Sequence, residues 1–374
     1  MLKSYLIPIE DAFLLFLILA FLSIIPLCIF HYHRFGYLRP IRAVIFYLFL
    51  FYTLCAISLV ILPLPELTND FCQSHPLSQQ LQPIPFNFIG EIISNNSVSL
   101  RHLNLVSIFK SFSFLQAFFN FLLLIPLGFF LRYYYRFNFY PIVVIAIATT
   151  LTFEITQITG IFGIYPCAYR IFDVDDLILN TLGAIVGYLV IPLFWFLPKI
   201  DQKVQKAPHN VSLTRRLIAF IIDWFIANTI SRLIFLLLLA QPNYQHSVWL
   251  DLLIYCVWFI GIPLLWNGET LGKKLVLIRL TSTNNDQKIN FLQLLIRYGV
   301  LIYIPIVTET LFTQIFANQQ KTLGYVDGIS SMLFLSLMGL QILLLFGFAV
   351  VRKDHRGIHE LFSRTKNTIT QYPQ

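Results

Sequence analysis

Charge is what this chain has least of: of 374 residues only 12% are Asp, Glu, Lys or Arg, against about 25% in soluble domains. Hydrophobic residues make up 57%, and the mean hydropathy is +0.73. A soluble core could not absorb so much apolar surface. The net charge of +8 lies in short basic clusters between apolar runs, with no aromatic-studded basic groove. That excludes nucleic acid and points to anionic membrane lipids as partners. Other things are missing too. There is no phosphate-cradling glycine loop, nucleophile elbow or zinc-ligand spacing, so no cofactor or metal is expected, and a non-enzymatic role is favoured. His355 and His359 are four apart in a basic tail, where two histidines are more often solvated or lipid-facing than metal-bound. No fixed-period or inverted repeat is evident, which weighs against the repeat symmetry of many transporters. The first apolar run lacks a basic leader and follows Glu10 and Asp11, which predicts a retained span, not a cleaved signal.

What the chain does have is long apolar runs. They lie at about 11–31, 41–63, 112–131, 139–160, 175–197, 213–240, 247–266, 292–312 and 331–352, most near the ~20 residues that cross a bilayer. The expected fold is therefore an all-α polytopic cell-membrane protein of about nine spans, five plus four. Arg34, Arg39 and Arg42, then Arg132 and Arg136, then the cluster from Lys199 to Arg216 fall in alternate loops, joined by Lys273, Lys274, Arg279 and Lys288 and by the tail. Basic loops stay cytoplasmic, which predicts an outside N-terminus and a cytoplasmic C-terminus. The polar, proline-containing stretch 198–213 reads as a cytoplasmic linker between a domain over 1–197 and another over 214–374 with a basic tail.

Five cysteines are an odd number. Cys28, Cys55 and Cys256 sit in apolar runs as packing residues. Cys72 and Cys167 fall in expected outer loops, where an oxidising exterior would permit a disulfide between them.

The densest polar set lies between 154 and 187. Asp173, Asp176, Asn180, Gly183 and Gly187 are spaced three, four, three and four apart, one stripe on a helix. Glu154 and Gln157 share a face of the preceding span. Packing of these two spans through Gly183 and Gly187 would join the stripes, with Arg170 as partner for the acidic cluster. Asn120 and Pro126 within one span leave a polar side chain and a freed carbonyl for the bundle to satisfy. In the second half Arg216 and Asp223 share a helix face, and Asp223, about two turns into the span, needs a partner. Arg297 is the expected one. The alternating stretch around 274–281 and the segment resuming at Lys288 suggest a small cytoplasmic hairpin across 284–286.

Two resemblances follow. Pro85–Phe86, Asn120 with PLG at 126–128, Glu154 with Gln157, and RIFDVDDLILNTLGAIVG at 170–187 resemble the signatures of the VanZ-like family over about 45–195. The family is associated with resistance to teicoplanin-type lipoglycopeptides. The resemblance implies that Glu154, Gln157, Arg170, Asp173, Asp176, Asn180 and Gly183 are its signature residues, set by the expected topology at the outer face, where a cell-wall precursor or a lipoglycopeptide would be the partner. Arg216 with Asp223, GETLGKK at 268–274, Arg297 and the tail Arg356–Thr365 resemble the RDD family over about 210–370. Here the second signature aspartate is Glu360, next to His359. Some members of that family are linked to cation/proton exchange, so a transporter using intramembrane carboxylates stands as an alternative, as does a membrane enzyme on a lipid-linked substrate.

Overall fold

The computed structural model describes residues 2–66, 71–74, 76, 79–95, 108–109, 111–198, 211–238, 248–283, 288–304, 306–307, 348–352 and 355–370. Asp70, Asp354, most of the expected linker, the 284–286 turn and most of the ninth span lie outside them. Among the described residues six helices are long and apolar enough to cross a membrane: Ile7–Phe35, Pro40–Ile61, Phe112–Tyr135, Phe139–Ile158, Val174–Leu193 and Leu213–Leu237. Trp249–Leu265 and Phe291–Tyr303 are shorter apolar helices. The protein is an all-α polytopic membrane protein. Many large apolar side chains on these helices face outward, for example Leu14, Phe21 and Val144, as lipid-facing surfaces require.

The chain forms two compact units, Met1–Ser23 with Arg39–Gln202, and Ile24–Leu38 with Lys203–Gln374. The second unit thus takes up the end of the first helix, α1 (Leu2–Phe35), a feature that no local sequence signal announces. Tyr32 is the reason: it packs with Val211, Ile218 and Ile222, and the Arg215 guanidinium lies 4.7 Å from its ring centre.

In the first unit, α2 spans Pro40–Ile61 and α3 Asn87–Asn95. The third apolar run is two helices, α4 (Phe112–Leu123) and α5 (Ile125–Tyr135). Ser111 caps α4 by accepting from the Phe114 amide. Pro126 cannot donate within a helix, so the chain breaks at Leu124 and restarts with proline in the first turn. α6 (Phe139–Ile158) and α7 (Val174–Leu189) follow. Between them Gly160 turns the chain with φ +60°, and a two-residue parallel bridge pairs β1 (Leu81–Gln82) with β2 (Phe172–Asp173). Leu124, Leu127, Leu131, Ile142, Ala146 and Ala184 form the core. The glycine stripe of α7 faces α4 and α5 and not, as its spacing had suggested, the fourth span. A Cβ on Gly183 or Gly187 would stand 2.0 Å from the Phe121 or Ile125 carbonyl oxygen, and one on Gly128 would stand 1.9 Å from that of Ala184.

In the second unit α8 spans Leu213–Leu238 and α9 Val248–Cys256, which continues through a π turn at Val257–Gly261. A short α10 (Leu271–Leu275) leads to β3 (Ile278–Ser282). α11 (Phe291–Tyr298) also runs into a π turn, and α12 (Ile358–Phe362) precedes β4 (Thr365–Ile369). The turn expected at 284–286 lies outside the described residues; the expected second arm at 288–290 forms no strand, and β3 pairs antiparallel with β4 of the tail. The reason is local, because Asn290, with Gln293, makes a capping box that starts α11. Those residues are committed to a helix, while β4 offers two threonines and an isoleucine. Tyr255, Trp258, Phe259, Leu294, Tyr298 and Ile302 form the main core, where the two π turns meet.

Candidate functional site

In the first unit, the ends of α6 and α7 gather acidic groups. Glu154 is 2% exposed and accepts from the Asp173 amide at 3.0 Å. Asp173 is the N-cap of α7, its carboxylate accepting from the Asp175 amide at 2.8 Å, the bond a helix start needs. Burial holds the Asp173 carboxyl above its ordinary value, with the Asp175 amide opposing. Asp176 accepts from the Asn120 side chain, which draws the polar residue of the third span into the set. Asn180 donates to Thr150 at 3.2 Å, and its own carbonyl oxygen is buried without a hydrogen bond. Gln157 donates to the Val60 carbonyl at 2.9 Å.

One assignment differs from the sequence reading, and one residue enters that it did not single out. Arg170 donates to the backbone oxygens of Leu62 at 2.9 Å and, more weakly, Leu59 at 3.5 Å, so it ties the end of α2 and does not chelate the aspartates. A guanidinium's fixed fork suits such paired acceptors. Asp175, in the first turn of α7, is 3% exposed and accepts from the amides of Phe86 and Phe88. It therefore fixes the start of α3 over the cluster, and Glu91 of α3 accepts from Ser113 at 2.9 Å. The only sequence hint of this was the Pro85–Phe86 pair. The covering segments are joined further by a disulfide between Cys72 and Cys167, and Phe71 packs on Tyr165 and Tyr169 beside it.

The second unit holds two linked charge clusters. Asp223 is fully buried. It accepts from the Gly272 amide at 2.8 Å, the Trp258 indole at 3.3 Å and the Thr270 hydroxyl, with the Lys273 ammonium 3.7 Å away. The GETLGKK loop is thus built around this carboxylate. Thr270 caps α10, and a Cβ on Gly272 would lie 2.2 Å from the Ala219 carbonyl oxygen and 2.8 Å from the Asp223 carboxyl carbon. Arg297, the partner expected for Asp223, is elsewhere. It binds Glu360 at 2.9 Å and Thr365 at 2.7 Å, while Arg216 holds the other Glu360 oxygen at 2.8 Å and Asn367 donates to the first at 2.6 Å. Sequence spacing put Arg297 at the right depth, but the nearer Lys273, three residues past Thr270, takes the aspartate. Burial opposes ionisation of Glu360, and the two guanidiniums overcome it, holding its carboxyl below the ordinary value. His359 is pushed the other way from a charged imidazolium, to about 3, by burial and then by Arg297.

Residues 49–195 match the VanZ/LLP1 family model and residues 211–364 that of the RDD family. The chain joins a VanZ-like half to an RDD half. No curated protein and no solved structure matches it at significance. The acidic cluster at α6 and α7 lies within the VanZ-like match, and Asp223, Lys273, Arg216, Arg297 and Glu360 lie within the RDD match, with Thr365 and Asn367 just past its end. The Glu360 side chain spans two arginines, Arg216 and Arg297. Among the described residues no group of three or more His, Cys, Asp and Glu side chains is arranged to hold a metal ion.

Proposed function

We propose that this protein acts in the cell envelope, its VanZ-like half lowering susceptibility to teicoplanin-type lipoglycopeptides through the polar cluster of Glu154, Asp173 and Asp176. The observation that carries this reading is the convergence of three carboxylates and Asn120 at one end of α6 and α7, beneath a segment anchored by Asp175 and a disulfide. Grouped carboxylates in an apolar setting are costly unless they serve a partner. They suit the amide, hydroxyl or ammonium donors of a cell-wall precursor or glycopeptide, which they would bind by charge-assisted hydrogen bonds. The Cys72–Cys167 disulfide supports an outward orientation of this end, because such bonds persist in oxidising compartments.

The test is expression of the wild type and a Glu154→Gln, Asp176→Asn double variant at matched membrane levels in a sensitive Gram-positive host, with inhibitory concentrations of teicoplanin and vancomycin compared. A selective rise for teicoplanin with the wild type, lost in the variant, is expected. No change with the wild type would remove the reading.

A further inference from the structure

The RDD half contains a cavity of about 50 Å³ that the pairings above leave unexplained. Arg216, Lys273, Arg297, Tyr298, His359 and Glu360 are among the residues lining it. Of the described residues on its wall, three are cationic and one is a carboxylate. The one charge of Glu360 is already shared between Arg216 at one oxygen and Arg297 at the other, where Asn367 also donates. Lys273 is directed to Thr270 and Tyr298, each at 3.1 Å, and its charge is answered in part by Asp223 at 3.7 Å.

On this wall the buried Nε of Arg297 and Nδ1 of His359 have no hydrogen-bond partner among the described residues. Both side chains are more than nine-tenths buried, at 5% and 8% exposure. An arginine Nε–H is always a donor, and a neutral imidazole places its one proton on either nitrogen. Buried donors are almost always matched in folded proteins, so the Arg297 Nε–H calls for an acceptor, and His359 joins it as a second donor in the tautomer that carries its proton on Nδ1. A water needs roughly 10–15 Å³ of such space, so the volume suits a few waters or one small ion and is too small for an organic substrate. The wall repels a cation.

We infer that this cavity binds a small singly charged anion of chloride size, held by the Nε–H of Arg297 and the Nδ1–H of His359 in the field of Arg216 and Lys273. The site is independent of the reading given to the VanZ-like half. The anion completes the hydrogen bonding of the arginine that carries Glu360 and so rigidifies the tail against α8 and α11.

The experiment uses the full chain in a neutral detergent and then in nanodiscs, with chloride titrated against gluconate at constant ionic strength. Thermal unfolding and calorimetry are the readouts. A saturable stabilisation by chloride and bromide is expected, with half-saturation raised about tenfold in His359→Phe, the equivalent of one lost hydrogen bond. Arg297→Lys, which retains the charge and loses Nε, serves as the second variant and should lose the effect even where its own stability is lower. Discs of phosphatidylcholine alone and discs with phosphatidylglycerol separate the two sources of anion: chloride dependence in both assigns a free ion, and its suppression by phosphatidylglycerol assigns a lipid phosphodiester. Equal behaviour in chloride and gluconate in both disc types, or an anion dependence identical in the wild type and both variants, overturns the proposal and leaves the cavity to water.

Discussion

Glu360 is the residue on which the second half depends most. It is 1% exposed and bridges Arg216 and Arg297, so removing its charge strands two guanidiniums in an apolar setting. Glu360→Gln should cost about 3–5 kcal/mol, the usual penalty for breaking a buried pair from one side, measured by chemical unfolding in detergent. Glu360→Asp tests the reach of the side chain, because a carboxylate one methylene shorter cannot hold both arginines at their present distances. It should lie between wild type and Gln. His359 next door gives a pH dependence whose sign is fixed. Its folded value of about 3 lies below the ordinary 6.5, so the unfolded chain binds the extra proton between those limits. Stability from this group is complete above pH 6.5 and falls on acidification, by about 1.4 kcal/mol per pH unit. Unfolding curves from pH 7.5 to 5 should show that slope in wild type and lose it in His359→Gln; a slope unchanged in the variant would assign it to another group.

At the level of elements, small residues decide which helices meet. Gly183 and Gly187 let α7 lie on the backbone of α4 and α5, and Gly128 returns the approach from the other side. In a bilayer such contact is a main source of helix association, since lipid tails are as apolar as leucine. Gly187→Val forces the Ile125 carbonyl away and should cost about 1–3 kcal/mol, the range for overpacking, seen as a lower unfolding midpoint. Because α7 carries Asp173 and Asp176, the same change should also displace the acidic cluster and abolish any teicoplanin phenotype. The glycine stripe was legible in the sequence but its partner was not. A spacing of four specifies a smooth face and says nothing of what lies against it. The hairpin shows the same limit: an alternation was legible around 274–281, whereas the strand that pairs with β3 lies more than eighty residues later in the tail.

At the level of the whole molecule, the disulfide between Cys72 and Cys167 closes a separation of 95 residues, and a cross-link of that span typically contributes about 2–4 kcal/mol by restricting the unfolded chain. Cys72→Ser should lower the unfolding midpoint accordingly. In intact cells neither cysteine should react with a membrane-impermeant maleimide before reduction, and Cys167 should become reactive in the variant if this end faces outward. Labelling only after permeabilisation would reverse the expected orientation.

Composition and run length determined by themselves that this is a helical membrane protein, because an apolar run of about 20 residues has few other stable outcomes. Signature residues pointed to the two family halves. Only the tertiary structure decided who partners whom: Arg170 with backbone oxygens, Asp175 with the start of α3, Lys273 with Asp223, Arg297 with Glu360. The physical reason is that charge and hydrogen-bonding capacity are properties of a residue, written in the sequence. Pairing depends on distances of a few ångströms between elements far apart in the chain, and those are fixed only when the helices pack.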